Sequence, residues 1–433
     1  MSATTASLAI LGGPKAVGCQ PGDLFAGPIV TAEDEAAVLE VLRRGAMSGT
    51  EITKAFEREF ADWLGAKHAL AYCNGTASLQ AAMWACGVGA GDEVICPSMT
   101  FWASCTAALS LGAAVHFADI DPDTLCIAPG DIEHRIGPRT RAIIVVHYAG
   151  HPCDMDPIME IARRRGVRVI EDVSHAHGAL YKGRMVGTFG DIAGMSLMSG
   201  KSLAIGEAGI MVTDDRGLYE RCVAYGHYER TGAASNYNAV DAQVTDPELR
   251  LYAGVPLGGF KHRLNQTASA MGRVQLRHYP ERIAEIQKAM NRFWGRLEGA
   301  PGIRPHRAPS GSTMGGWYNA RGLYRAEELG GLPCAKFCEA VCAEGVPGCF
   351  PGANKPLHLH PVFHTADLFR MGRPTMISFG QRDVRQGPGT LPVAERIEEI
   401  AFGIPWFKHD RPEFIEEYAA AYRKVAEHAA ELP

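Results

Sequence analysis

No stretch of this 433-residue chain approaches the ~18 consecutive apolar residues that a bilayer-spanning helix needs. The opening "MSATTASLAILGGPKAV" also lacks a basic segment leading into a sustained apolar run, so no secretory leader is expected and the protein is read as cytoplasmic. An excess of positive charge is missing too. With 43 Lys and Arg against 48 Asp and Glu, the net charge of −5 gives no electrostatic reason to expect nucleic acid or an anionic membrane as partner. Twelve cysteines are scattered rather than packed as in a small secreted scaffold, which argues for reduced thiols. Cys334, Cys338 and Cys342 share a helical face, yet their spacing matches no common zinc or iron–sulfur pattern and no second cluster completes it; no metal site is expected. Internal repeats and low-complexity segments are absent. What remains is ordinary globular composition, for which a small molecule is the default partner.

From residue 31 the chain alternates. Thr31 and Asp34 form a capping-box pattern ahead of the helical spacing in "TAEDEAAVLEVLRR". Seven short apolar runs follow: "ALAYC", "EVICPSM", "AAVHFADI", "AIIVVHYAG", "VRVIEDV", "IAGMSLM" and "AGIMVTD". Helix-length stretches such as "TASLQAAMWACGV", "DMDPIMEIARRRG" and "FWASCTAALSLG" separate most of them. That alternation predicts an α/β domain of three layers, a mainly parallel sheet covered on both faces. "PERIAEIQKAMNRFWGRLEG" predicts a long helix with an apolar stripe, after which the character turns α+β and rich in Pro and Gly. The expected division is an N-terminal arm over 1–30, a large domain over 31–277 and a smaller C-terminal domain over 278–433. The polar region 228–258 reads as one long loop, of the kind that is functional when it occurs in a compact domain.

In open α/β sheets ligands gather at the carboxyl ends of strands. Asn74, Gly75 and Thr76 lie between a strand and a helix N-terminus, where Gly allows close approach and free N–H groups favour an anion such as phosphate, though such turns are common without one. Asp172 ends a strongly apolar strand and needs a partner: the following helix, or a cationic ligand. His175 and His177 follow, as core, surface or ligand residues. In "SLMSGKSLAIGEAG", Lys201 stands among small residues at another strand end, 29 residues after Asp172. A phosphate cradle, a buried aspartate and a desolvated lysine at neighbouring strand ends suit pyridoxal 5′-phosphate (PLP), whose phosphate, ring nitrogen and aldehyde want those three groups.

Over nearly its whole length the chain resembles the DegT/StrS-type family of PLP-dependent sugar and cyclitol aminotransferases, a branch of PLP fold-type I. The resemblance is carried by "FEREFADWLGAKHALAYCNGTASL", "DEVICPSMTFWAS", "HFADIDPDTLCI", "HYAGHPCDMDPIMEIA", "VIEDVSHAHGALYKGRMVGTFGD", "SLMSGKSLAIGEAG" and "KPLHLHPVF". It implies Lys201 as the Schiff-base lysine and Asp172 as partner of the pyridine nitrogen. It also implies Phe101 stacked on the ring, His175 near the phenolic oxygen, and Gly75, Thr76 and Ser196 at the phosphate. A homodimer with shared active sites is implied as well, the loop "GGFKHRLNQTASAMGRVQL" reaching the partner's phosphate through Lys261 and Arg263, with Lys261 standing where many relatives carry asparagine. Two further departures are "GEAG" for the usual "GEGG" after the lysine, and Met195 and Leu197 where aromatics often flank Ser196.

The activity so implied is ping-pong transfer of an amino group from L-glutamate or L-glutamine to a keto-cyclitol or keto-sugar, with a nucleotide-linked keto-sugar as the alternative acceptor. "LAILGGPKAV" is similar to the opening of the cyclitol and aminohydroxybenzoate-forming branch. Ser48, Gly49, Thr50, the region after His227, and His358 are the expected substrate contacts. A sugar dehydratase of this fold would carry histidine in place of Lys201, and a non-catalytic regulator would be expected to have lost Lys201 or Asp172.

Overall fold

The protein is described here from a computed structural model, over residues 7–232 and 243–432. All seven apolar runs form strands of one sheet: β1 (His68–Tyr72), β2 (Glu93–Pro97), β3 (Ala114–Ala118), β4 (Thr140–Val146), β5 (Arg168–Asp172), β6 (Ile192–Ser196) and β7 (Gly209–Thr213). Their order is β1-β7-β6-β5-β4-β2-β3. Six run parallel, and β7 is antiparallel to both of its neighbours, β1 and β6. Strands such as β2, buried at every position, carry no polar alternation because helices cover both faces.

Those helices include α1 (Ala32–Arg43), α2 (Glu51–Leu64), α3 (Gly75–Ala85), α4 (Met155–Arg165) and α5 (Arg216–Gly226). The α1 capping box forms, with Asp34 accepting the Thr31 N–H at 2.8 Å. In α2, Phe56, Phe60 and Leu64 recur at four-residue spacing on the buried face, and Gly65 ends the helix at φ +83°, a conformation that suits glycine. "FWASCTAALSLG" does not make one helix. It breaks into a 3₁₀ turn, Trp102–Ser104, and a single turn, Ala107–Ser110, because Ser104 and Thr100 bond each other at 2.8 Å and Ser104 also reaches Asp172.

The long helix, α6 (Gln266–Arg296), begins fourteen residues before Pro280, the start that the sequence suggests. Asn265 caps it by accepting from the Ala268 N–H at 2.9 Å, and Pro280 sits inside, where a missing N–H removes one intrahelical bond. The 277/278 boundary therefore falls within a continuous helix. α6 packs on α1 and α2 at one end and at the other on α8 (Pro412–Glu427), which follows α7 (Cys334–Ala343).

Beyond α6 a small antiparallel sheet forms from β8 (Ile303–Arg304), β9 (Arg321–Tyr324) and β10 (Ala401–Gly403). Two apolar cores result. The larger surrounds the seven-stranded sheet and also takes in Phe363, Met376, Leu391 and Ile397; the second combines the later part of α6 with α7 and α8 and takes in Leu8, Val17 and Leu24 of the arm. Glu344 fastens the arm there, accepting from the N–H groups of Ala9 and Ala16.

The region 228–258 is not one featureless loop. It holds a 3₁₀ turn, Tyr228–Arg230, and a helical turn, Pro247–Arg250; buried Glu220 accepts from the N–H groups of Thr245 and Asp246. Residues 233–242 of that expectation lie outside the described residues.

Candidate active site

Parallel strands bring their carboxyl ends to one edge of the sheet, and a cavity of about 420 Å³ opens there. Gly75, Thr76, Phe101, Asp172, His175, Ser196 and Lys201 all line it. Asp172 ends β5, Ser196 ends the neighbouring β6, and Gly75 begins α3 directly after β1.

At α3, the Asn74 side chain accepts from Ala77 N–H at 2.8 Å, so the helix is capped without using the N–H groups of Gly75 and Thr76. Both residues line the cavity, where N–H groups at a helix N-terminus, together with the helix dipole, suit an anion. A Cβ on Gly75 would lie 2.7 Å from the Ser196 Cβ and 2.8 Å from its Cα, so only glycine lets α3 approach β6 this closely.

Asp172 is buried, its two oxygens held by the Ser174 N–H at 3.0 Å and the Ser104 hydroxyl at 2.7 Å. Lys201 is 7% exposed, with Nζ 3.5 Å from the centroid of the Tyr318 ring. Burial pushes its ammonium down from 10.5 to about 8, and the charge of Asp172 restrains that fall. His175 is buried between Tyr148 and Tyr318, at ring distances of 5.3 and 4.8 Å; burial first, and then the Lys201 charge, hold it well below its ordinary value and keep it neutral. Phe101, 48% exposed, keeps a face free at the cavity, beside Trp102.

The other predicted residues lie elsewhere. Ser48, Gly49 and Thr50 do not line the cavity; they join α1 to α2 beside the start of α6, where the Gln266 side chain accepts from the Ile52 N–H and Arg263 reaches the Ser48 carbonyl at 3.5 Å. Lys261 and Arg263 are outside this chain's own cavity as well. His358 is buried behind it, both ring nitrogens engaged, Nδ1 with Ser98 at 2.6 Å and Nε2 with Glu395 at 3.0 Å, which leaves neither for a ligand. Cys334 and Cys338 approach to 4.0 Å, and Cys342, at an exposed position, donates to the Cys349 carbonyl at 3.1 Å.

Sequence reasoning missed Ser104, Ser174, Glu207, Tyr318, Asn319 and Asn354, all on the cavity wall. The last three arrive from beyond α6. The run "GGWYN", small glycines around an aromatic pair, was the available signal for that crossing.

An anion cradle, a buried carboxylate and a desolvated lysine in a single cavity fit a phosphorylated pyridine aldehyde at all three of its functional groups. Residues 28–372 match the DegT/DnrJ/EryC1/StrS aminotransferase family. The chain belongs to that family. Its members are PLP-dependent transaminases, and this chain is one. It is 37% identical over 268 residues to a GDP-perosamine synthase of Caulobacter vibrioides, covering 61% of this chain and 68% of that one. It is 32% identical over 406 residues to an L-glutamine:2-deoxy-scyllo-inosose aminotransferase of Streptomyces kanamyceticus, covering 92% of each. Among solved structures, an aminotransferase from Psychrobacter cryohalolentis superimposes with a TM-score of 0.78 at 27% identity, over 94% of this chain and 99% of that one. Among the described residues no helix is long and apolar enough to cross a membrane.

Proposed function

We propose that this aminotransferase moves an amino group from L-glutamine or L-glutamate to a keto-cyclitol or free keto-sugar, in the cytoplasm and as a homodimer. The observation that carries the chemistry is that Lys201 and Asp172 open into the same cavity beneath the α3 N-terminus. The acceptor class rests on likeness along 92% of both chains to the scyllo-inosose enzyme; the likeness to a GDP-perosamine synthase keeps a nucleotide-linked keto-sugar as second reading.

The bound cofactor supplies an aldehyde that condenses with amines and a ring that accepts the electron pair of a breaking C–H bond. Gly75, Thr76 and Ser196 would hold its phosphate. Asp172, locked by Ser104 and Ser174, would hold a proton on the ring nitrogen. Phe101 would be the stacking partner of the ring, and neutral His175 would serve the phenolic oxygen. Lys201, its ammonium lowered to about 8, is neutral in a substantial fraction near pH 8 and would serve as the base that takes the proton from the donor Cα. The second half-reaction reverses these transfers with the ketone acceptor.

A second copy of the chain completes the site in this reading. Lys261 and Arg263 do not line their own cavity, and Leu251, Val255 and Tyr252 on the approach to that loop are 79%, 68% and 52% exposed.

The test is spectroscopic. PLP-loaded protein should be yellow, lose that colour when L-glutamine or L-glutamate is added, and regain it with a keto-cyclitol. Lys201→Ala protein should form no borohydride-reducible adduct. An adduct persisting at the same site in that variant would overturn the assignment.

A further inference from the structure

A buried cation behind the cavity has no acid to meet. Arg321, at the start of β9, is 6% exposed, and among the described residues its guanidinium forms no ion pair with a carboxylate. It bonds the Ala320 carbonyl at 2.9 Å and the Asn319 side-chain carbonyl at 2.7 Å, lies over Phe350, and leaves Nε without a partner. Burying such a charge without a counter-ion is unfavourable, so its placement calls for a reason.

A guanidinium can only donate hydrogen bonds, and it therefore fixes the direction of every bond beyond it. Asn319 Oδ1 accepts from Arg321, so Asn319 Nδ2 donates to the Tyr148 hydroxyl at 3.1 Å. Burial raises the Tyr148 phenol, which stays protonated and donates to Asn354 Oδ1 at 2.6 Å. The Asn354 backbone N–H also donates to the Tyr148 hydroxyl at 3.3 Å, whereas the side-chain Nδ2 is left as a donor that meets no acceptor among the described residues. Asn319 and Asn354 both line the cavity. Bonds aligned one way behind a cation reinforce one another and bring positive potential to the wall.

The backbone is built to hold this arrangement. Trp317 and Asn319, neither of them glycine, sit at φ +53° and +60°. A Cβ on Gly316 would lie 2.1 Å from Ser202 Oγ, and one on Gly315 2.5 Å from the Ala176 backbone, so the segment has no room to relax.

We propose that the relay Arg321–Asn319–Tyr148–Asn354 is the wall that binds the carboxylate of the amino donor, with Asn354 Nδ2 donating to it. A hydroxyl of the acceptor needs no charge behind its partner, whereas a carboxylate offsets the unpaired guanidinium. The α3 N-terminus already serves the phosphate, which leaves the donor carboxylate as the anion without a partner in the site. This inference rests on the transaminase reading above.

The probes are L-glutamine and L-glutaminamide, the same molecule with its α-carboxylate converted to an amide, each followed by bleaching of PLP-loaded protein against concentration. Asn354→Asp, nearly isosteric and still able to accept from Tyr148, should weaken half-saturation by L-glutamine on the order of 10- to 100-fold and that by L-glutaminamide by less than about 3-fold. Tyr148→Phe should shift in the same sense and less, because Asn354 loses its fixed orientation. Equal losses with both probes would make the relay structural and overturn the proposal, as would an effect confined to the acceptor half-reaction. If the unsubstituted protein bleaches with neither probe, the transaminase reading fails first.

Discussion

Glu171 and Asp172 are consecutive carboxylates on β5, both buried, and they have opposite employments. Alternation along a strand sends their side chains to opposite faces of the sheet. On one face Glu171 is used up by the protein: Oε1 accepts from the N–H groups of Phe189 and Gly190, and Oε2 from Gly187 N–H at 2.7 Å and His147 Nε2 at 2.9 Å. On the other, each Asp172 oxygen has a single partner among the described residues, and the group lines the cavity. A charge that is saturated by its own chain holds a fold together; one that is half-saturated keeps capacity for a ligand.

Neutralising the two in turn tests that contrast, and the larger effect belongs to Asp172. Asp172→Asn should lower the donor half-reaction rate about 100- to 1,000-fold, measured by bleaching, while thermal stability of the cofactor-free protein stays near that of the parent. Glu171→Gln should do the reverse, losing about 3 kcal/mol of unfolding free energy because an amide cannot accept in place of both oxygens, with the bleaching rate of the folded protein within a few-fold. Burial alone would raise the Glu171 carboxyl, but the hydrogen bond from His147, with the N–H groups of Gly190 and Gly187, holds it below its ordinary value. A carboxyl lowered on folding stabilises above its unfolded value and loses that contribution as pH falls through its folded one. The stability gap between parent and Glu171→Gln should accordingly close in acid. If Glu171→Gln proved inactive but fully stable, the division of labour would be wrong.

This pair also marks how far sequence could be read. "VIED" announces a buried strand through its apolar run, and the seven such runs gave the sheet, since parallel strands covered on both faces have no other pattern. Lys201, Asp172 and the Asn74–Thr76 turn were legible because each stands where a strand ends. The wall from Tyr318, Asn319 and Asn354 was not, because its residues reach the cavity only through the packing of the second core against the first, which no local periodicity encodes. Ser48 to Thr50 and His358, expected as substrate contacts, do not line this chain's own cavity. Pro280 misled through its own chemistry: proline favours a first helical turn, and only the Asn265 cap reveals the earlier start.

The contrast sharpens at Lys201, a cation that the fold tolerates rather than uses for stability. Because its value is lowered from 10.5 to about 8, folding is penalised wherever the unfolded chain holds the proton more tightly, fully below pH 8 and not at all above about 10.5. Lys201→Met, which keeps the aliphatic stem, should stabilise the cofactor-free protein at pH 7 by on the order of 2 kcal/mol in denaturant titration, with the gain fading as pH rises through that window. A variant less stable than the parent at pH 7 would mean that the contact with Tyr318 outweighs desolvation.

The smallest expected effect returns to consecutive groups with different employment, now on the α3 backbone. The Ala77 N–H is consumed by the Asn74 cap, whereas Gly75 and Thr76 line the cavity. Asn74→Ala removes the cap and should cost about 1 kcal/mol of stability in thermal unfolding of the cofactor-free protein. The dissociation constant for PLP should shift by no more than about 3-fold, since the two N–H groups of the cradle are untouched. A loss of PLP affinity larger than the loss of stability would show that the cap positions the cradle, and would move Asn74 from the group of side chains saturated within the fold to the group that serves the ligand.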